Sequence, residues 1–74
     1  MESNQESYRY DFKKIRLERV RQGKSIVQLA EEANLSPKTV MRIEHSKVIP
    51  RPQTVGKIAA ALGKDIEDFI IKNK

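Results

Sequence analysis

The 74-residue sequence predicts an all-α fold of five short helices, on three observations. Apolar residues recur at three- and four-residue steps from Phe12 onward, the spacing of one helix face. Good capping residues punctuate those stretches, with Asp11, Ser25, Ser36 and Asp65 ahead of them and Gly23, Asn34 and Gly63 behind. No segment alternates apolar and polar residues for more than a few positions, so nothing marks a strand. The chain has no Cys, so packing of helices against their sequence neighbours must hold a domain close to the lower size limit.

Taken in order, residues 1–10 show no apolar periodicity and read as a flexible arm, with Tyr8 and Tyr10 able to fold back on the core. Residues 11–74 read as the domain. Asp11 opens a first helix with Phe12, Ile15 and Val20 among its apolar positions, and Gly23 ends it. Ser25 opens a second, carrying Leu29, Ala30 and Ala33 on one face, and Asn34 follows as a residue that tolerates the left-handed conformation. Ser36 and Pro37 start a third, because Ser caps well and the φ of Pro suits the first helical position. It runs over 36–45 with Val40 and Ile43 inward. Residues 46–52, with Ser46, Pro50 and Pro52, read as a loop. A fourth helix spans about 53–62, with Val55, Ile58, Ala59 and Leu62 at helical spacing. Asp65 caps a last short helix with Ile66, Phe69 and Ile70 inward.

Residues 25–45 carry the information about function. Two helices of roughly two turns, joined by a bend of about four residues, form an αα unit of the DNA-binding kind. Ala30 and Ala33 let the helices cross closely, Asn34 makes the bend, Leu35 plugs the corner, and Val40 and Ile43 lock the second helix to the first. The run Leu29-Ala30-Glu31-Glu32-Ala33-Asn34-Leu35-Ser36, then Val40, Arg42-Ile43-Glu44 and Pro50, resembles the lambda-repressor/Cro-like (XRE) helix-turn-helix family. Thr54-Val55, Ile58-Ala59 and Leu62-Gly63 extend the resemblance, which covers about residues 12–70. It implies a five-helix lambda-repressor-like domain whose helix-turn-helix is helices two and three. It also implies that Arg19 pairs with Glu44, and burial of an Arg on the Ile15/Val20 face asks for such a bidentate carboxylate partner. The sequence departs from the family at Lys24 and Ile26, where an apolar residue and Gln are usual, at Asn34 and Ser46, where Gly is usual, and at Pro52, where an aliphatic residue is common.

The N-terminal residues of a reading helix meet base edges in the major groove. By resemblance the base-facing positions are Pro37, Lys38 and Arg42, with Thr39 alongside. Arg42 suits a bidentate contact to guanine, Lys38 a base or a phosphate, and Pro37 only an apolar contact such as a thymine methyl. Phosphate contacts are expected near Ser25, Ile26 and Ser36, at helix starts where free amides collect anions, and at Lys47, Arg51, Gln53 and Thr54.

The charge pattern agrees with a polyanionic partner. The net charge is +5, with −2 on residues 1–11, +7 on 12–57 and zero on 58–74. The lone His45, at a helix end, makes neither a catalytic constellation nor a metal site, so the expectation is a protein that is not an enzyme and carries no metal or cofactor. No apolar run approaches the roughly 20 residues that cross a membrane, and the polar, acidic start shows no signal peptide. A cytoplasmic protein of phage, mobile-element or bacterial origin is expected. The leading function is a sequence-specific regulator of transcription, a repressor, bound to double-stranded DNA as a homodimer. Ile71, Val48 and Ile49 are the candidate dimer contacts. Two alternatives stand beside it: an antitoxin-type DNA-binding protein with a toxin partner, and a protein-interaction module that has lost DNA binding.

Overall fold

The computed structural model describes residues 9–71. Its order is β1 (Arg9–Tyr10), α1 (Phe12–Arg21), α2 (Ile26–Ala33), α3 (Pro37–Glu44), α4 (Pro52–Ala61), a 3-10 turn over Ile66–Phe69, and β2 (Ile70–Ile71). The fold is all-α in substance, with five helical segments. Three of the four α-helix starts are capped by side chains. Asp11 accepts from the Lys14 amide, Ser25 and Gln28 form a reciprocal capping box, and Ser36 Oγ accepts from the Thr39 amide.

Every α-helix of the described residues ends in the same motif. A residue with positive φ follows the last turn at Gly23 (71°), Asn34 (60°), Ser46 (57°) and Gly63 (70°). Its amide and the next one turn back onto the final carbonyls, as Ser46 N to Ile43 O at 3.0 Å and Lys47 N to Arg42 O at 2.8 Å do after α3. Gly enters this conformation freely and Asn tolerates it, whereas a Ser Cβ crowds the backbone. Ser46 therefore keeps the turn that Gly would make, at a cost in stability.

The core is one cluster. Ile15 of α1, Leu29, Ala30 and Ala33 of α2, Val40 and Ile43 of α3, and Ile58, Ala59 and Leu62 around α4 close over Phe69. The α1–α2 turn is tied to the end of α4 by polar bonds. Gln22 Nε2 donates to Leu62 O at 2.8 Å, and Lys24 Nζ donates to Ala61 O at 2.9 Å while pairing with Glu32 at 2.7 Å. Lys24 thus occupies an apolar position of the family pattern by carrying its ammonium to carbonyls left unsatisfied at a helix end.

Four local expectations need correction. Val20 is 55% exposed. At about 100° per residue it lies roughly 140° round from Ile15, whereas Arg19 lies near 40° and takes the inner position. Pro52 is not in a loop but opens α4 at its first position, behind an Arg51 whose side chain makes no capping bond. The last helix is a single 3-10 turn, held by Asp65 N donating to Asp68 Oδ2, and Ile70 lies beyond it in β2. Of the arm read at 1–10, residues 1–8 lie outside the described residues. Arg9 and Tyr10 form β1, antiparallel to β2 with Arg9 opposite Ile71 and Tyr10 opposite Ile70. Tyr10 is buried, and the Asp11 amide donates to Phe69 O at 2.7 Å, so the two ends of the described segment are tied to each other.

Candidate nucleic-acid interface

The candidate interface is built on α2, the bend after it, and α3. Leu29, Ala30 and Ala33 bury one face of α2 against Val40 and Ile43 of α3, the alanines permitting the close approach. Asn34 supplies the left-handed residue, and half-buried Leu35 packs on the core with its amide bonded to Ala30 O. The bend is therefore short, with the Asn34 and Leu35 amides bonded back to α2, and it fixes the direction in which α3 leaves.

A clamp on the inner side holds the far end of α3. Arg19 Nε donates to Glu44 Oε2 at 2.6 Å and Arg19 Nη2 to Glu44 Oε1 at 2.9 Å, while Nη1 donates to Lys24 O at 2.8 Å. The Arg19 side chain is 12% exposed and that of Glu44 1%. The carboxylate hydrogen bonds raise the Arg19 pKa above its ordinary value. With its charge matched in this way, Glu44 does not oppose an anion approaching from outside.

The outer side of α3 is different. Pro37, Lys38, Met41, Arg42 and His45 are exposed. Lys38 and Arg42 stand four residues apart on one side of the helix, and neither has an ion pair or side-chain hydrogen bond among the described residues. Thr39 is half-buried, with its hydroxyl 2.9 Å from Ser36 Oγ, so it is engaged at the helix start rather than presented outward. His45 Nδ1 lies 2.8 Å from Met41 O, which accepts its hydrogen bond and fixes the ring at the C-terminal end of α3.

The expected phosphate contacts surround this helix. At the start of α2, Ser25 is exposed and Ile26 packs its side chain on the core. Only backbone is offered there: the Ile26 and Val27 amides have no partner among the described residues, while the Gln28 amide is taken by Ser25 Oγ. Ser36 is exposed, though its Oγ serves the cap. Lys47 and Arg51 are exposed and unpaired among the described residues. At the start of α4, Pro52 has no amide hydrogen and the Thr54 amide bonds Arg51 O at 2.9 Å, which leaves the Gln53 amide for a ligand. Sequence reasoning missed the shallow depression at the end of α3, lined by Met41, Arg42, His45 and Lys47. No residue spacing signals it, because the hollow closes through the left-handed turn at Ser46.

Among the described residues no group of three His, Cys, Asp or Glu could hold a metal ion, and no helix is long and apolar enough to cross a membrane.

The helix-turn-helix family model matches residues 15–69. No curated protein sequence matches the chain. Among solved structures, the clp gene regulator ClgR from Corynebacterium glutamicum superposes with a TM-score of 0.73 at 23% identity, over 77% of this chain and 61% of that one. At that identity the likeness is one of fold, and the chain spans less than two thirds of the length of that structure.

Proposed function

The chain belongs to the XRE-type helix-turn-helix family, and from that premise we propose that it is a sequence-specific regulator of transcription, a repressor, that reads double-stranded DNA with α3. The observation that carries this reading is the outer side of α3: Lys38 and Arg42, unpaired among the described residues and one helical turn apart, on a helix whose inner side is held by the Arg19–Glu44 clamp. Arg42 reads guanine in the major groove, Lys38 a neighbouring base or phosphate, and Pro37 offers an apolar edge. The free amides of Ile26, Val27 and Gln53, with Lys47 and Arg51, hold the phosphates on either side. Thr39 supports the helix start through its bond to Ser36, and its hydroxyl keeps hydrogen-bonding capacity for DNA alongside Pro37, Lys38 and Arg42.

So small a reader gains affinity by pairing on two half-sites. Ile49 is 91% exposed, and Val48 and Ile71 are also exposed, which favours a homodimer joined through these apolar residues. The protein acts in the cytoplasm, where its DNA lies.

The test is enrichment of duplexes from a random pool, followed by titration of the enriched duplex across a salt series. The expected result is a recurring half-site and a log-log salt slope near 0.9 for each phosphate neutralised. A chain that enriches no sequence and forms no salt-sensitive complex is not a DNA reader.

A further inference from the structure

The depression at the C-terminal end of α3 combines two chemistries. Met41 is 44% exposed, although the residues on either side of it in the core pattern, Val40 and Ile43, are wholly buried. It lines a hollow of about 290 Å³ together with Arg42, His45 and Lys47. The hydrogen bond from His45 Nδ1 to Met41 O stands the imidazole as one wall. The left-handed turn at Ser46, with the Lys47 amide bonded to Arg42 O, folds Lys47 back beside the last turn of the helix as another. The floor is thioether and methylene, and two of the rim residues are cations. Among the described residues no acidic side chain lines it.

A hollow with an apolar floor and a cationic rim matches one part of a nucleotide: a pyrimidine bearing a 5-methyl group, next to its phosphate. The 5-methyl is the only apolar group that a base pair projects into the major groove. We infer that the Met41 hollow is a subsite for a 5-methylpyrimidine nucleotide, thymidine or 5-methylcytidine, with the methyl against Met41 and the adjoining phosphate against Lys47. This inference rests on the DNA-binding reading above and deepens it. Arg42 and Lys38 supply hydrogen-bond readout, and Met41 adds a contact that has no hydrogen bond in it.

The experiment uses the full chain and the duplex enriched from a random pool. Each thymine is replaced in turn by uracil, which removes only the methyl, and each cytosine in turn by 5-methylcytosine, which adds one. One position per half-site is expected to lose about fourfold in affinity on methyl removal or to gain as much on methylation, the worth of one buried methyl. The direction tells which pyrimidine the natural site uses. Met41→Ala is expected to bind both forms equally at that position, and Met41→Leu to retain the difference. Because Met41 is exposed, both variants should melt as the parent does. Tight binding that responds to the methyl at no position overturns the inference alone, as does a response that persists in Met41→Ala. Absence of any complex with the unmodified duplex overturns the DNA reading with it.

Discussion

Within the eight residues of α3, the inner and outer sides obey opposite rules. The inner side is over-determined: Val40 and Ile43 are wholly buried, and Glu44 is held by two bonds from Arg19. Each of those residues has a partner on another element, and removing any one leaves a cavity or a stranded charge. On the outer side, among the described residues, Lys38 and Arg42 make no ion pair or side-chain hydrogen bond, and His45 bonds its own helix. A side chain with no structural duty is free to be chosen for a ligand. The contrast says that α3 is a rigid rod with an interchangeable face, and that stability and recognition can be changed separately.

The largest effect that could break this contrast lies on the inner side. Arg19→Ala leaves the Glu44 carboxylate buried without its partner and should cost about 3–5 kcal/mol of stability, read from denaturant melts. Replacing both residues by Met should cost less than Arg19→Ala alone, since no charge is then stranded. A single variant as stable as the parent would show that the clamp does not hold α3. On the outer side, Arg42→Ala should weaken binding to the enriched duplex by about 1–3 kcal/mol and leave the melting temperature unchanged. A fall in stability of similar size would merge the two sides into one.

The next effect tests the turn that joins them to the following loop. Ser46→Gly relieves the crowded left-handed conformation and should stabilise the fold by about 1 kcal/mol, with DNA affinity unaltered. A destabilised variant would mean that the Ser side chain contributes something the backbone geometry does not reveal. The smallest effect lies away from α3. The hydrogen bond from Gln22 holds the Glu18 carboxyl below its ordinary pKa, with help from Lys64, Arg21 and Lys14. The folded value therefore lies below the unfolded one. Its stabilisation is present above the ordinary carboxylate range and fades as pH falls through the folded value. NMR titration should show Glu18 moving back toward an ordinary carboxylate in Gln22→Ala, and an unmoved titration would assign the shift to Lys64, Arg21 and Lys14 instead.

Much of the rod was legible in the sequence, because local rules decide it. Asp11, Ser25 and Ser36 cap, Gly23, Asn34 and Gly63 turn left-handed, and Leu29, Ala30, Ala33, Val40 and Ile43 fall at helical spacing. Ser36-Pro37 was readable as a helix start, yet Arg51-Pro52 was not, since Arg is no capping residue and the Pro then looks like a loop signal. What licenses it is the fixed φ of Pro at the first helical position, with or without a cap. The pairing of Arg9–Tyr10 with Ile70–Ile71 was invisible because two residues cannot alternate, and their partner lies at the other end of the chain. On the outer side the exposed residues could be named, but not the hollow they enclose. That hollow depends on Ser46 adopting a backbone conformation that its residue type does not advertise.

The central claim is that Lys38 and Arg42 give the outer side of α3 its sequence preference while the inner side holds the fold. The direct measurement is the ratio of affinities for the enriched duplex and a scrambled duplex of equal length, at one salt concentration, for the parent and for Lys38→Ala/Arg42→Ala, with a thermal melt of each. A ratio of about a thousandfold or more is expected in the parent, collapsing toward unity in the double variant while both proteins melt alike. A parent ratio near unity, or a double variant that keeps the parent's preference, would contradict it.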